Sequence, residues 1–554
     1  MNWPDLIILP IVLPLMTGAL LVLVERKSAR LPGWLAAASS LAGLVVALLL
    51  LERALTGNVQ AYLLGNWAAP FGIALALDRL SALMVLLTSV IACITLLYAS
   101  GGDAQRGRHF YSLLQFQLMG LNGAFLTADL FNLFVFFEVL LIASYGLLLH
   151  GAGAARLRAS IHYVSFNLAG SALFLIAASL LYGLTGTLNL ADLAQRVPLV
   201  TADRTLLVQS AALLLVVVFS VKAALLPLYF WLPATYSAAS APVAALFAIM
   251  TKVGVYAILR VTTLIFGETG GPAAFVTSPW LEFLALGTLL LGAVGAVAAK
   301  SLRVMIGNVV VASAGTLLLA VALGRPDTVA AGLFYLVNST LVAAALFLLA
   351  DRLRASRGWA DDDFRSASMS DAGHVAYAGD SPTLLGVLFF TLAVGAAGLP
   401  PLAGFLGKAM LLQAAGQTVW AGWIVAVLLT SSLLLMIAFV QSGSVLFWKP
   451  VASSADGLAT DAIPPASPTD RSSIPALPGH AAHSASLALL LALLVACAVF
   501  AGPLSRFTQA TSAQLFERQA YIGAVLGASA VPAAIDVRRE MRERKKRAIG
   551  ETKP

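Results

Sequence analysis

Fourteen apolar stretches, most of them about twenty residues long, run through the chain near residues 5–24, 33–51, 80–99, 110–127, 130–149, 161–183, 206–237, 242–265, 280–299, 304–323, 328–349, 384–414, 420–447 and 485–503. About twenty apolar residues in α-helix cover the ~30 Å hydrocarbon core of a bilayer. No aqueous fold buries so many of them, and charge is scarce: Asp, Glu, Lys and Arg make up 11% of the 554 residues, where soluble domains carry about 25%. With 60% hydrophobic residues and a mean hydropathy of +0.91, a soluble enzyme is excluded. The sequence predicts an all-α polytopic membrane protein of about 14 transmembrane helices.

The first stretch has Asp5 before it and Arg26 and Lys27 after it. That is the reverse of a signal peptide, so it reads as an uncleaved span with its N-terminus outside. On the resulting alternation fifteen Lys and Arg residues fall in inner loops, among them Arg106, Arg156, Lys300, Arg352 and Lys449, against six on the outer side: Arg53, Arg79, Arg196, Arg204, Arg260 and Arg325. The bias matches the cytoplasmic enrichment of basic residues. One segment runs against it: fourteen spans return the chain to the outside, yet the tail after Ile535 reads VRREMRERKKR. Either the tail is exported, or the weak apolar stretch from Tyr521 to Ile535 re-enters the bilayer. Residues 351–383, with Asp361, Asp362 and Asp363, and the Pro- and Ser-rich residues 448–484 read as connecting loops, so no soluble catalytic domain is expected.

Four ionisable residues lie well inside the spans. Glu138 stands in DLFNLFVFFEVLLIASYGLLLHG, close to the bilayer midplane. Its helical neighbours Phe134, Val135, Leu141 and Ile142 are apolar, so its partner has to come from another helix. Lys222, Lys252 and Lys408 are the other three. A charge at mid-membrane costs about 2.5–3.5 kcal/mol on insertion scales, and such residues mark ion paths or proton relays. One of them is readily explained as a snorkelling lysine or a structural ion pair; four in one chain are not.

Two of the lysines sit in runs too long for one span. Residues 206–237 would extend ~48 Å as a single helix and contain Pro227 and Pro233; residues 384–414 contain Pro400 and Pro401. Both predict discontinuous helices broken near the midplane beside a lysine. Paired interrupted segments of this kind point to an inverted-repeat transporter and to its ion site.

Other motifs lead nowhere. GFLGK at 404–408 has two residues between its glycines and Ala409 after the lysine, so it is not a phosphate loop. The six histidines show no spacing suited to haem or zinc, and His480 and His483 fall in the low-complexity loop, where they read as solvated. Cys93 and Cys497 are too few for a zinc or iron–sulfur centre. No cofactor is expected. Asn338, Ser339 and Thr340 either line a water path or hydrogen-bond between helices.

The segments GNWAAPFGIALALDRLSALMVLLTSVI (65–91), DLFNLFVFFEVLLIASYGLLLHG (129–151), KAALLPLYFWLPATYSAASAPVAALFAIMTKVGVYAILR (222–260) and GLPPLAGFLGKAMLL (398–412) resemble the D-type subunit of the Mrp-type multisubunit monovalent cation/proton antiporters. That group belongs to the antiporter-like subunits shared with respiratory complex I and membrane-bound hydrogenases. The resemblance covers about residues 1–450 and the last span. It implies fourteen helices with two inverted five-helix repeats and broken seventh and twelfth helices. On this scheme residues 1–109 carry helices 1–3, 110–265 the first repeat, 280–447 the second, 448–484 a hydrophilic loop, 485–503 helix 14 and 504–554 a basic tail. The resemblance makes Glu138 the fifth-helix glutamate, Lys222 the broken seventh-helix lysine, Lys252 the eighth-helix site and Lys408 the broken twelfth-helix site.

The function expected is therefore that of an integral subunit of a bacterial inner-membrane antiporter, exchanging Na⁺, K⁺ or Li⁺ for H⁺ together with other subunits, with no role for nucleic acid. Burial weakens an ammonium's hold on its proton and an adjacent carboxylate strengthens it. A Glu138–Lys222 pair that opens and closes is thus a switchable proton site, feeding Lys252 and then Lys408. Two rivals remain: a proton-pumping membrane subunit of an NADH:quinone oxidoreductase or hydrogenase, and a structural subunit whose charges are inert ion pairs.

Overall fold

The computed structural model describes residues 3–25, 31–67, 69–357, 382–418, 420–448 and 480–527. Arg26, Lys27, Lys449, the three aspartates at 361–363 and the basic run after Ile535 lie outside them. The chain is almost wholly helical. It opens with α1 (Leu9–Val24), α2 (Leu31–Leu55), α3 (Arg79–Ala99), α4 (Phe110–Leu126), α5 (Leu130–Leu149) and α6 (Ala154–Thr185). A short α7 (Leu190–Arg196) precedes α8 (Thr205–Ala223), α9 (Trp231–Ala238), α10 (Ala241–Phe247), α11 (Met250–Leu264), α12 (Ser278–Ala298) and α13 (Leu302–Ala322). Next come α14 (Pro326–Arg357), α15 (Pro382–Ala397), α16 (Ala403–Ala415), α17 (Ala421–Phe447), α18 (His480–Val499), α19 (Ala501–Phe516) and α20 (Arg518–Leu526). A two-stranded antiparallel hairpin, β1 (Gln60–Leu63) with β2 (Ala74–Leu77), joins α2 to α3.

Twelve helical segments among the described residues are long and apolar enough to cross a membrane. The two further spans expected from the sequence are α4, 17 residues long, and the interrupted α15–α16 pair. Caps set where the key helices begin. The Asp78 carboxylate accepts from Ser81 N at 2.8 Å while Ser81 Oγ accepts from Asp78 N at 2.9 Å, a reciprocal capping box that starts α3. Asp129 accepts from Asn132 N at 2.8 Å and starts α5, which fixes Glu138 just over two turns into that helix.

Burial grades from the rim to the middle of the bundle. The α10–α11 segment and α14 are wholly enclosed, and α13 nearly so, whereas α1, α2, α6, α12, α17 and α18 turn most of their surface outward. Lys252 thus rides on one of the most enclosed helices, with no lipid or water interface for its side chain to reach.

Both predicted interruptions are present. Ala224, in the left-handed conformation (φ +56°), ends α8 directly after Lys222 and Ala223, and the chain runs irregularly through Pro227 before α9. Pro233 lies in the first turn of α9, where a missing N–H costs no hydrogen bond, so this break is made at Pro227 and not at Pro233. Inside a membrane the freed backbone groups need partners: Leu225 N donates to Ser220 O at 3.0 Å and Leu226 N to Thr288 Oγ1 of α12 at 2.8 Å. The second interruption, between α15 and α16, contains Pro400 and Pro401.

The segments flanking the last span differ from expectation. His480 and His483 belong to the first turn of α18 and not to a solvated loop, and His483 stacks on Tyr98 with ring centroids 4.2 Å apart. Of the weak stretch from Tyr521 to Ile535, residues 521–527 are described, and Tyr521–Leu526 belong to α20; the rest lies outside the described residues. Ser512 Oγ donates to Pro326 O at 2.7 Å, Gln514 Nε2 to Gly57 O at 2.8 Å, and Arg518 Nη1 to Leu264 O at 3.3 Å. Those acceptors sit at the ends of α14, α2 and α11 that the loop charges assign to the outside, so α19 and α20 lie across that end.

Candidate functional site

Glu138 is half-buried on α5 and faces α6, where Ser171 Oγ donates to its Oε1. The partner does come from another helix, but it is a serine. Lys222, 8% exposed at the end of α8, directs Nζ to Asn167 Oδ1 at 3.0 Å, with the Phe137 ring centroid 5.9 Å away. Asn167 Nδ2 donates to Tyr163 O at 2.9 Å, which orients the amide so that its oxygen meets the lysine. Ser171 stands one turn beyond Asn167, whose carbonyl oxygen, 3.0 Å from Ser171 Oγ, is the alternative acceptor for its single hydroxyl proton. One face of α6 therefore holds glutamate and lysine on separate neutral partners, and no ion pair within 4.0 Å joins the two.

Beside Lys222 lies a cavity of about 20 Å³ bounded by Phe137, Tyr163, Asn167 and Trp231. A space of ~10–15 Å³ admits a water when polar partners face it. The close approach of α11 to the break depends on Gly254: a Cβ there would come within 2.4 Å of Ala223 N and 2.8 Å of Lys222 C.

Lys252, fully buried, donates to Ser313 Oγ of α13 at 3.1 Å. Lys408 donates to Ala397 O at 2.8 Å and to Ser432 Oγ of α17 at 2.9 Å. Ala397 is the last residue of α15, so the ammonium sits at the negative end of a half-helix. The three lysines thus occupy three separate seats, each made of neutral oxygens.

Reading the sequence missed these neutral partners, Asn167, Ser171, Ser313 and Ser432; the available signal was an Asn and a Ser one turn apart within the span 161–183. It placed Arg260 at the outer edge, where it does lie, but missed its burial and its partners. Arg260 is in fact 4% exposed and grips the cap residue Asp78 through Nη1–Oδ2 at 2.5 Å and Nη2–Oδ1 at 3.0 Å, with Tyr521 of α20 stacked 5.0 Å from the guanidinium.

At the opposite end, which the loop charges assign to the inside, a second charged cluster gathers around the loop between α3 and α4. Asp103 pairs with Arg106 at 3.1 Å and approaches His483 at 3.8 Å. Asp351 of α14 takes Arg303 at 2.9 Å and the Tyr98 hydroxyl at 3.0 Å. Burial pushes the Asp103 carboxyl up to about 6, the Asp351 charge adding to the effect while Arg106, Arg303 and Arg156 oppose it.

Residues 127–435, which contain Glu138 and all three lysines, match the family described as NADH:quinone oxidoreductase/Mrp antiporter, TM. The chain belongs to this family. A probable D-type subunit of a K⁺/H⁺ antiporter from Rhizobium meliloti (strain 1021) is 39% identical over 95% of this chain and 98% of its own length. The D-type subunit of a Na⁺/H⁺ antiporter from Bacillus subtilis (strain 168) is 38% identical over 82% of this chain and 90% of its own. A chain of the solved Mrp complex from Dietzia sp. DQ12-45-1b superposes with a TM-score of 0.80 at 29% identity, covering 95% of this chain and 100% of that one. The NADH:quinone oxidoreductase/Mrp antiporter fold is thus the scaffold that carries half-buried Glu138 and the three buried lysines.

Proposed function

We propose that the chain is the D-type membrane subunit of a multisubunit monovalent cation/proton antiporter and conducts protons through Glu138, Lys222, Lys252 and Lys408. The observation that carries this reading is the open Glu138–Lys222 pair. Both members are held by neutral groups that either can leave without stranding a charge, on the helix face between them. A proton site works as a switch when its counter-charge comes and goes. Closing the pair favours the charged lysine, and opening it favours release to water beside Lys222 and onward to Lys252 and Lys408. The two five-helix repeats, residues 110–265 and 280–447, would each supply half of the path. The names of the D-type relatives support the antiporter reading, and they differ in the cation, K⁺ in one and Na⁺ in the other.

Everted membrane vesicles from cells making the whole complex provide the test, with ΔpH collapse followed on adding Na⁺, K⁺ or Li⁺ salts. Glu138→Ala and Lys222→Ala each abolish exchange while the subunit still inserts and assembles. Wild-type rates in either variant sink the assignment. The family description also covers redox-driven complexes, so the co-purifying proteins decide the second reading: small hydrophobic partners favour an antiporter, whereas flavin and iron–sulfur proteins favour an oxidoreductase.

A further inference from the structure

The two asparagines at the middle of the two longest helices stand in matching positions, and one of them is unsatisfied. Asn167 lies on α6 and Asn338 on α14, both 32 residues long. They cross the membrane in opposite directions, and each is the third span of its expected five-helix repeat. Asn167 Oδ1 carries the Lys222 ammonium. Asn338 is 2% exposed and its Nδ2 donates to Gly395 O at 3.4 Å, yet its Oδ1 has no hydrogen-bond partner among the described residues. A buried amide oxygen left without a donor is costly, and such exceptions call for an explanation.

The candidate donor lies on α16, which packs against α14. A Cβ on Gly404 would lie 2.8 Å from Asn338 Nδ2, and Lys408 follows Gly404 by one turn on the same buried face of α16. Lys408 now rests on Ala397 O and Ser432 Oγ, and Ala397 lies two residues past the Gly395 carbonyl that Asn338 holds. The neighbouring positions differ in the way the charges require. One turn beyond Asn167 stands Ser171, which holds Glu138. One turn beyond Asn338 stands Val342, where the second repeat has no mid-membrane glutamate to hold.

We propose that Asn167 and Asn338 are positioning residues, each the neutral seat for the broken-helix lysine of its repeat, with Lys222 seated on Asn167 and Lys408 displaced from Asn338. The inference rests on the lysine relay proposed above. Moving Lys408 from the end of α15 to Asn338 Oδ1 exchanges one set of neutral oxygens for another, so the ammonium shifts without parting from a counter-charge. The two repeats are then caught in opposite settings, as alternation between half-paths requires.

Proton exchange in everted vesicles containing the full complex, measured from pH 6.5 to 9.5, tests this with Asn→Leu and Asn→Asp at each position. Leucine removes the acceptor, so the pH midpoint of exchange moves to the acidic side. Aspartate supplies a fixed counter-charge, so the midpoint moves to the alkaline side. The two variants at one position should differ by a pH unit or more, about tenfold in proton affinity. A seat that merely packs helices gives lower assembly with an unmoved midpoint, which overturns the proposal. Where a leucine variant does not assemble, Asn→Ser, which keeps a shorter acceptor, is compared with Asn→Asp: a wild-type midpoint in both overturns it equally. Lys222→Ala run alongside separates the two levels. Retained exchange there defeats the relay itself, whereas loss there with wild-type midpoints in the asparagine variants defeats only the seats.

Discussion

Taking one charge out of a closed buried pair strands the other, at about 3–5 kcal/mol, but here Lys222 already rests on Asn167 and Glu138 on Ser171. Glu138→Gln with Lys222→Met is therefore expected to assemble at least as well as either single variant and to carry no exchange, since no titratable group is left at the first position. Expression and exchange rate measured together decide it, and an active double variant refutes the relay. Asp103 gives a prediction of a different kind. Its carboxyl is raised to about 6 from an ordinary 3.8, so between about pH 4 and 6 the unfolded chain gives up this proton while the folded chain keeps it. The folded state then binds more protons, and stability falls as pH rises through that window. Asp103→Asn should consequently raise the thermal unfolding midpoint of the purified protein at pH 7.5 and much less at pH 4.5. A benefit equal at both pH values shows that the carboxylate carries no net penalty in the fold.

Interrupted helices are legible in a sequence because proline and excess length act locally, and Pro227, Pro400 and Pro401 do mark the interruptions. Pro233 does not, because the same missing N–H is harmless in a first turn, and which turn it occupies depends on where the chain re-enters helix. Glu138 and the three lysines stood out against apolar spans. Their neutral partners did not, since an Asn or Ser in such a span can equally bond its own backbone, as Ser171 can with Asn167 O. The burial of Arg260 was not legible, because its partners, Asp78 and Tyr521, are brought to it only by tertiary folding. Gly398 shows how an element break and a functional side chain are built together. It has φ +76°, and a Cβ there would meet Lys408 Cδ at 2.6 Å. Gly398→Ala should therefore displace the lysine from Ala397 O and cut exchange at least tenfold, with a lower yield of assembled complex. Alanine at Gly183, where a Cβ has nothing within 4 Å, serves as the control. Equal exchange in the two variants argues against any need for this seat.

At the scale of the whole molecule the sequence offers two conflicting signs of sidedness. Fifteen basic residues against six favour an outside N-terminus, whereas the basic run after Ile535 favours an inside tail. The packing of α19 and α20 bears on the conflict, because hydrogen bonds tie them to Gly57, Pro326 and Leu264, at the end opposite the Asp103 cluster. Whichever side faces the cytoplasm, α20 and the loop before α8 must share a side and the α3–α4 loop must take the other. Single cysteines at Asp203, Gln519 and Gln105, all exposed, in a background with Cys93 and Cys497 replaced, make this measurable with an impermeant thiol reagent on cells with a permeabilised outer membrane. Labelling at 203 and 519 with protection at 105 establishes the outside N-terminus and puts α20 on the exported side. Labelling at 105 alone inverts the whole chain and leaves the basic tail following an inner helix. Labelling at 203 with protection at 519 contradicts the packing of α20 itself, because no bilayer then separates Gln519 from the α3–α4 loop.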